Sequence, residues 1–117
     1  MPASLYNIAV HRGAHLLELQ LPLHLDVMVF DQLNTDLIAY VEKHPGHYLI
    51  DLARTDYMGS AVLGLLVNLR SKVRSRGGEM VVCCLSPRLQ EIFRIGALER
   101  LFRIAPTQDA ALRMLGV

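Results

Sequence analysis

The sequence predicts an α/β domain: a small mixed sheet of about five strands, with helices packed mainly on one face. Three observations carry this. Strand-like and helix-like periodicities alternate along most of the chain. The first two strand-like segments follow one another across a short turn, so a hairpin joins an otherwise parallel sheet. A length of 117 residues, 52% hydrophobic and 20% charged, suffices for one core and not for two.

Tyr6 to Val10 reads as a short strand, and His11-Arg12-Gly13-Ala14 as the turn after it. Leu occupies 17, 19, 21, 23 and 25 with Glu18, Gln20, Pro22 and His24 between, the alternation of a strand with one buried face. Pro22 removes a ladder donor, so the regular strand is expected to stop near Leu21 or to continue at a sheet edge. Phe30, Leu33, Leu37, Tyr40 and Val41 form one helical stripe, closed by Lys43-His44-Pro45-Gly46. His47 to Leu52 is an apolar run of strand length, and Arg54 to Gly59 is a loop.

A second helix opens at Ser60, with Val62, Leu65, Leu66, Leu69 and Val73 on its apolar face. Arg70, Lys72, Arg74 and Arg76 crowd its last turns, where cations suit the helix dipole, and Gly77-Gly78 ends it. Glu79 to Leu85 is a buried-type strand. Ser86-Pro87 pairs an N-cap with a proline at the first helical position, and this third helix ends at Gly96. Leu101 to Ile104 is a short final strand, and Thr107 caps a last helix to about Leu115. The order β-β-α-β-α-β-α-β-α implies one layer of helices over one sheet, a single domain spanning 1–117.

The net charge of +1 points to no partner. Residues 1–60 carry seven acids against three bases, and residues 61–117 nine bases against four acids. Such polarity can orient a docking partner, although solvated faces of separate elements are the simpler reading. The basic run lacks interleaved aromatics, which disfavours nucleic acid. No apolar run reaches the roughly 20 residues that span a bilayer, and MPASLYNIAV lacks a signal-peptide core, so a cytoplasmic protein without membrane insertion is expected. The two cysteines are adjacent, Cys83-Cys84. Neighbours in a strand face opposite ways, so no disulfide between them is expected, and there is no CxxC or Cys/His metal spacing.

No GxGxxG, GxxxxGK[ST], HExxH or GxSxG occurs, so no catalytic residue, cofactor or metal is assigned. The five histidines, 11, 15, 24, 44 and 47, all lie in the first half; His44 and His47 flank a Pro-Gly turn and read as exposed, His11 and His15 bracket another turn, and a metal site built from them is the minor reading. Asp51 and Asp56 flank the loop before Ser60. They could hold Mg²⁺ or orient a proton, but capping of loop amides is the simpler role. Ser60, at the start of a helix, reads either as an N-cap or as a hydroxyl whose phosphate the free amides and the helix dipole would stabilise.

The segment DLARTDYMGSAVLGLL resembles the strand–loop–helix signature of anti-sigma factor antagonists with the STAS fold, Met-Asp-Ser-Ser/Thr-Gly-Leu-Gly. Met58 is retained, Ser60 falls on the phosphorylated serine, and Leu63-Gly64 on the closing Leu-Gly. The segment RGGEMVVCCLSPRLQEIFRIGALERLFRI and the tail AALRMLGV resemble the sporulation member of that family. Gly59, Ala61 and Val62 depart from the signature, Gly59 by removing an Asp. The resemblance implies a protein that is not an enzyme. Unphosphorylated, it binds an anti-sigma factor that is also a serine kinase of the histidine-kinase-like ATPase fold, releasing a sigma factor. Phosphorylation at Ser60 expels it, and a PP2C-type phosphatase restores it. The implied partner surface is Asp56, Tyr57, Met58, Gly59, Ser60, Leu63 and Gly64. The alternative is a STAS interaction module of a transporter or stress-signalling complex that is not phosphorylated.

Overall fold

A computed structural model describes residues 4–117; residues 1–3 of the expected domain and N-terminus lie outside it. The elements run β1 (Tyr6–His11), β2 (Ala14–Leu19), α1 (Val27–Lys43), β3 (Tyr48–Asp51), α2 (Ser60–Ser75), β4 (Met80–Cys83) and α3 (Pro87–Ile95). A 3-10 turn (Leu98–Arg100), β5 (Arg103–Ala105) and α4 (Gln108–Leu115) complete the fold. The five strands lie in sequence order, with β1 antiparallel to β2 and every later pair parallel. The expected mixed sheet and element order are therefore present.

The hairpin turn is shorter than the four-residue stretch read from the sequence. Arg12 and Gly13 alone form it, at φ 53° and 83°, and His11 pairs directly with Ala14. Two consecutive positive φ values match the right-handed twist of the strands it joins. β2 consequently starts at Ala14, earlier than the leucine alternation suggests, and ends at Leu19.

Successive parallel strands advance across the sheet in one direction. Right-handed crossovers then place α1, α2 and α3 on the same side. Leu17, Ile50 and Val82, neighbours in register, pack there against Leu37, Leu66, Leu69, Leu89 and Phe93. The whole apolar face read for the second helix is buried. One layer does not describe the fold completely, however. α4 follows the last strand, so no crossover constrains it, and it covers the opposite face. Leu16, Leu49, Val81 and Cys83 pack there against Ala111, Leu112 and Leu115. β2 is thus buried on both faces along much of its length, not on one.

Two features fix the segment between β3 and α2. Thr55 is 1% exposed. Its hydroxyl donates to the Leu19 carbonyl at 2.8 Å and accepts from the Leu21 amide at 3.1 Å. The side chain thus stands in for a ladder partner where β2 stops. Met58, 3% exposed, joins the core below. At the other end of the strands the two glycines divide the work. Gly77 ends α2 at φ 84°, while a Cβ on Gly78 would lie 2.0 Å from the Gly46 carbonyl oxygen.

Two stability predictions follow from these contacts. Thr55→Val keeps the shape but strands a buried carbonyl and a buried amide, so urea denaturation will show a loss of about 3 kcal/mol. Gly78→Ala forces two backbone segments apart and will cost about 2–3 kcal/mol in the same assay.

Candidate docking site

The loop after β3 and the first turns of α2 lie at the carboxyl ends of the parallel strands, the end at which open α/β sheets present their binding loops. Ser60 does not cap α2. Gly59 is the N-cap, at φ −80° and ψ 176°, and no side chain closes the helix end. Ser60 is the first helical residue and is exposed. The first helical bond runs from the Leu63 amide to the Gly59 carbonyl at 3.1 Å, leaving the amides of Ser60, Ala61 and Val62 without a helical acceptor. The hydroxyl therefore sits beside three outward-directed donors and the positive end of the helix dipole.

The two flanking carboxylates part company. Asp51 caps a loop amide as expected: its Oδ1 accepts from Ala53 N at 2.8 Å, and its Oδ2 accepts from the Gln108 side-chain amide. Asp56 does not cap; it faces Arg88 on α3 at 3.6 Å, with both side chains open to solvent. Such a pair orients more than it stabilises. The same guanidinium lies 5.9 Å from the Tyr57 ring centroid, within cation–π range. Arg88 belongs to this surface, yet its place near the start of a helix 28 residues beyond Ser60 gave no signal in the sequence.

Of the other expected contacts, Tyr57 is exposed, Leu63 is half-buried and Gly64 is exposed on the next turn. Met58 differs: its burial in the core makes it the loop's support and removes its side chain from the exposed face. An unexpected apolar rim adjoins the loop. A concavity of about 160 Å³ is lined by Leu23, His24, Phe30, Tyr57 and Gly59, among others. Leu23 is 58% exposed there. Leu23 continues the leucine alternation but lies beyond the end of β2 at Leu19, and it projects outward. Clustered exposed apolar side chains mark interaction surfaces.

The histidines do not gather at this site. His15 is half-buried, stacked on Tyr48 at 4.7 Å and 2.9 Å from the Tyr40 hydroxyl, while His47 Nδ1 accepts from the Glu79 amide at 3.0 Å. Both are structural groups, and His47 is thereby half-buried rather than exposed as expected. The cysteines also depart from expectation. Cys83 is the last residue of β4, but Cys84 leaves the strand at φ 65°, so both sulfurs turn the same way and lie 3.2 Å apart. Burial, and for Cys83 the neighbouring thiol, push both thiols up from their ordinary range, so both are protonated at neutral pH.

Residues 6–111 match the STAS domain family model. BtrV of Bordetella bronchiseptica, which carries the name of an anti-sigma factor antagonist, is 35% identical over 81 residues, 69% of this chain and 70% of that protein. The anti-sigma F factor antagonist of Paenibacillus polymyxa is 28% identical over 107 residues, 90% of this chain and 86% of that one. The unphosphorylated form of the anti-sigma factor antagonist SpoIIAA superposes with a TM-score of 0.75 at 18% identity, covering 96% of this chain and 97% of that one. The phosphorylated form of the Bacillus protein superposes at 0.67 with 17% identity, covering 93% and 98%. Among the described residues, no helix is long and apolar enough to cross a membrane. Element order, sheet topology and the matched span agree: this chain belongs to the STAS domain family.

Proposed function

We propose that the chain is an anti-sigma factor antagonist whose docking is switched by phosphorylation of Ser60. Unphosphorylated, it binds an anti-sigma factor that is also a serine kinase of the histidine-kinase-like ATPase fold, and so frees a sigma factor. Phosphate on Ser60 ends the complex, and a PP2C-type phosphatase restores it. The chain acts as one STAS domain, 1–117, in the cytoplasm, and is a ligand and substrate of its partners rather than an enzyme. The names of its relatives support the antagonist role.

The exposure of Ser60 at an uncapped helix end carries the rest. A phosphoserine brings about −1.5 to −2 charges and three acceptor oxygens. Three amides without helical acceptors suit those oxygens, and Gly59 puts no side chain in competition for them. Replacement of the family's aspartate by Gly59 also spares the phosphate an adjacent like charge. The remaining carboxylate of the loop, Asp56, is faced by Arg88. The modified domain keeps its fold, because neither Thr55 nor Met58 is disturbed. What changes is the surface: a dianion now stands beside Tyr57, Leu63 and the apolar rim, where a partner would have to desolvate it. Gly64 leaves a bare stretch of helix against which a partner's backbone can lie closely.

Three outcomes test this. Incubation with the cognate kinase and ATP adds one phosphate, located at Ser60 by fragmentation mass spectrometry; modification elsewhere would overturn the assignment. In calorimetric titration, Ser60→Asp binds the unmodified partner at least ~10-fold more weakly than Ser60→Ala, a difference of about 1.4 kcal/mol. Gly64→Ala fills no space within the domain and removes a helix-interior glycine, so it stabilises the free protein by roughly 0.5–1 kcal/mol. It nevertheless weakens docking, which separates the surface role from any effect on folding.

A further inference from the structure

We propose that Cys83, Cys84 and Asp51 form a binding site for a thiophilic divalent cation of the zinc class. The site is separate from the Ser60 surface, and the proposal is independent of the docking role. One sulfur or carboxylate oxygen from each of the three residues lies within 4.8 Å of the others. Two thiols and a carboxylate are a donor set that zinc accepts, at about 2.3 Å to sulfur and 2.0–2.2 Å to oxygen. Tetrahedral bonds of those lengths hold the donor atoms about 3.6–3.8 Å apart. The sulfurs, at 3.2 Å, need to separate by only a fraction of an ångström to admit the ion.

The backbone around the pair is unusual in a way that helical or strand packing does not require. An extended residue after Cys83 would send its side chain to the opposite face. Cys84 instead adopts φ 65°, a left-handed conformation that L side chains rarely take. The result is two soft ligands side by side at the end of β4. Asp51 reaches the same point because it ends β3 and pairs in register with Cys83.

The surroundings suit a metal better than the two other uses of adjacent thiols. A disulfide between consecutive residues joins Cα atoms only about 3.8 Å apart, below the ~4.4–6.8 Å that such bonds usually span. A cation bridges the sulfurs without drawing them into bonding contact. A thiol–thiol hydrogen bond alone is weak and gives no reason for a carboxylate at the same place. Asp51 is already oriented: the Ala53 amide holds one oxygen, and the Gln108 side chain donates to the other. A carboxylate has lone pairs for both donors and an ion, so these contacts become the outer support of a metal ligand. Cys83 is fully buried and Asp51 is 6% exposed, whereas Cys84 is half-buried, so the ion enters past Cys84. Binding converts both thiols to thiolates and releases two protons per ion. The three protein ligands leave a fourth position for water.

The test is titration of the reduced full-length protein with Zn²⁺ and, separately, Cd²⁺, whose thiolate charge-transfer band reports the sulfurs directly. One ion per chain is expected, with the cadmium band and protection of the half-buried Cys84 from alkylation. Cys84→Ser should lose at least ~100-fold in affinity and about half of the band per bound ion, since Cys83 alone then supplies a thiolate. Asp51→Asn, which retains an acceptor for Ala53, should keep the band but bind roughly 10–100-fold more weakly. Circular dichroism of each metal-free variant confirms folding. If a variant fails to fold, the wild type decides: its melting temperature should rise with zinc and fall back on chelation. Failure of the wild type to take up either ion at micromolar concentration, a cadmium band and affinity undiminished in Cys84→Ser, or equal affinity of folded Asp51→Asn and wild type would overturn the site.

Discussion

One buried hydroxyl holds the loop between β3 and α2 in place. Where β2 stops, its last carbonyl and the amide two residues on have no strand to pair with, and Thr55 supplies both partners from one side chain. In a water-free setting those two backbone groups would otherwise each cost on the order of 1–3 kcal/mol. The loop is therefore anchored at Thr55 and again by the Met58 side chain, leaving Asp56, Tyr57 and Gly59 to face outward between and beyond the anchors. The exposure of Ser60 is the outcome of two buried neighbours, one polar and one apolar, that fix the chain on either side of Tyr57.

The sheet imposes the second constraint. Its parallel part needs cover on both faces, and three crossovers of the same hand can supply only one side. α4 closes the other face with eight residues, and its first residue, Gln108, reaches Asp51. The rear of the sheet is thus more than packing: it carries the polar contact from Gln108 that holds Asp51 beside the two thiols, at the root of the loop between β3 and α2.

Much of the fold was legible because its signals are local. The apolar stripe from Val62 to Val73, the Ser86-Pro87 start and the Thr107 cap are each written within a few residues, and each is present as read. The errors arose where distant chain decides. Leucine alternation cannot reveal that Leu16 is also buried, since that depends on a helix some 90 residues later. Ser60 satisfies every rule for an N-cap, yet the helix boundary falls one residue earlier, at Gly59, as boundaries commonly shift. The left-handed turn at Cys84 has no glycine or asparagine to announce it. Arg88 joins Asp56 and Tyr57 only through tertiary approach. Ser60 itself stood out through family resemblance, because a lone serine at a helix start carries no such information.

The contact between Gly46 and Gly78 has a bearing on how such a domain can diverge. Both glycines lie in chain reversals that lead into parallel strands, and a single methyl group between them would collide with backbone rather than with a movable side chain. That pole of the molecule is interlocked, with no slack for insertion or enlargement. The opposite pole is open by comparison: a Cβ on Gly59 would meet nothing within 4 Å, so side chains there can change while the frame stays intact. A descendant of this domain can acquire a new recognition specificity at one end while the other stays almost unchanged.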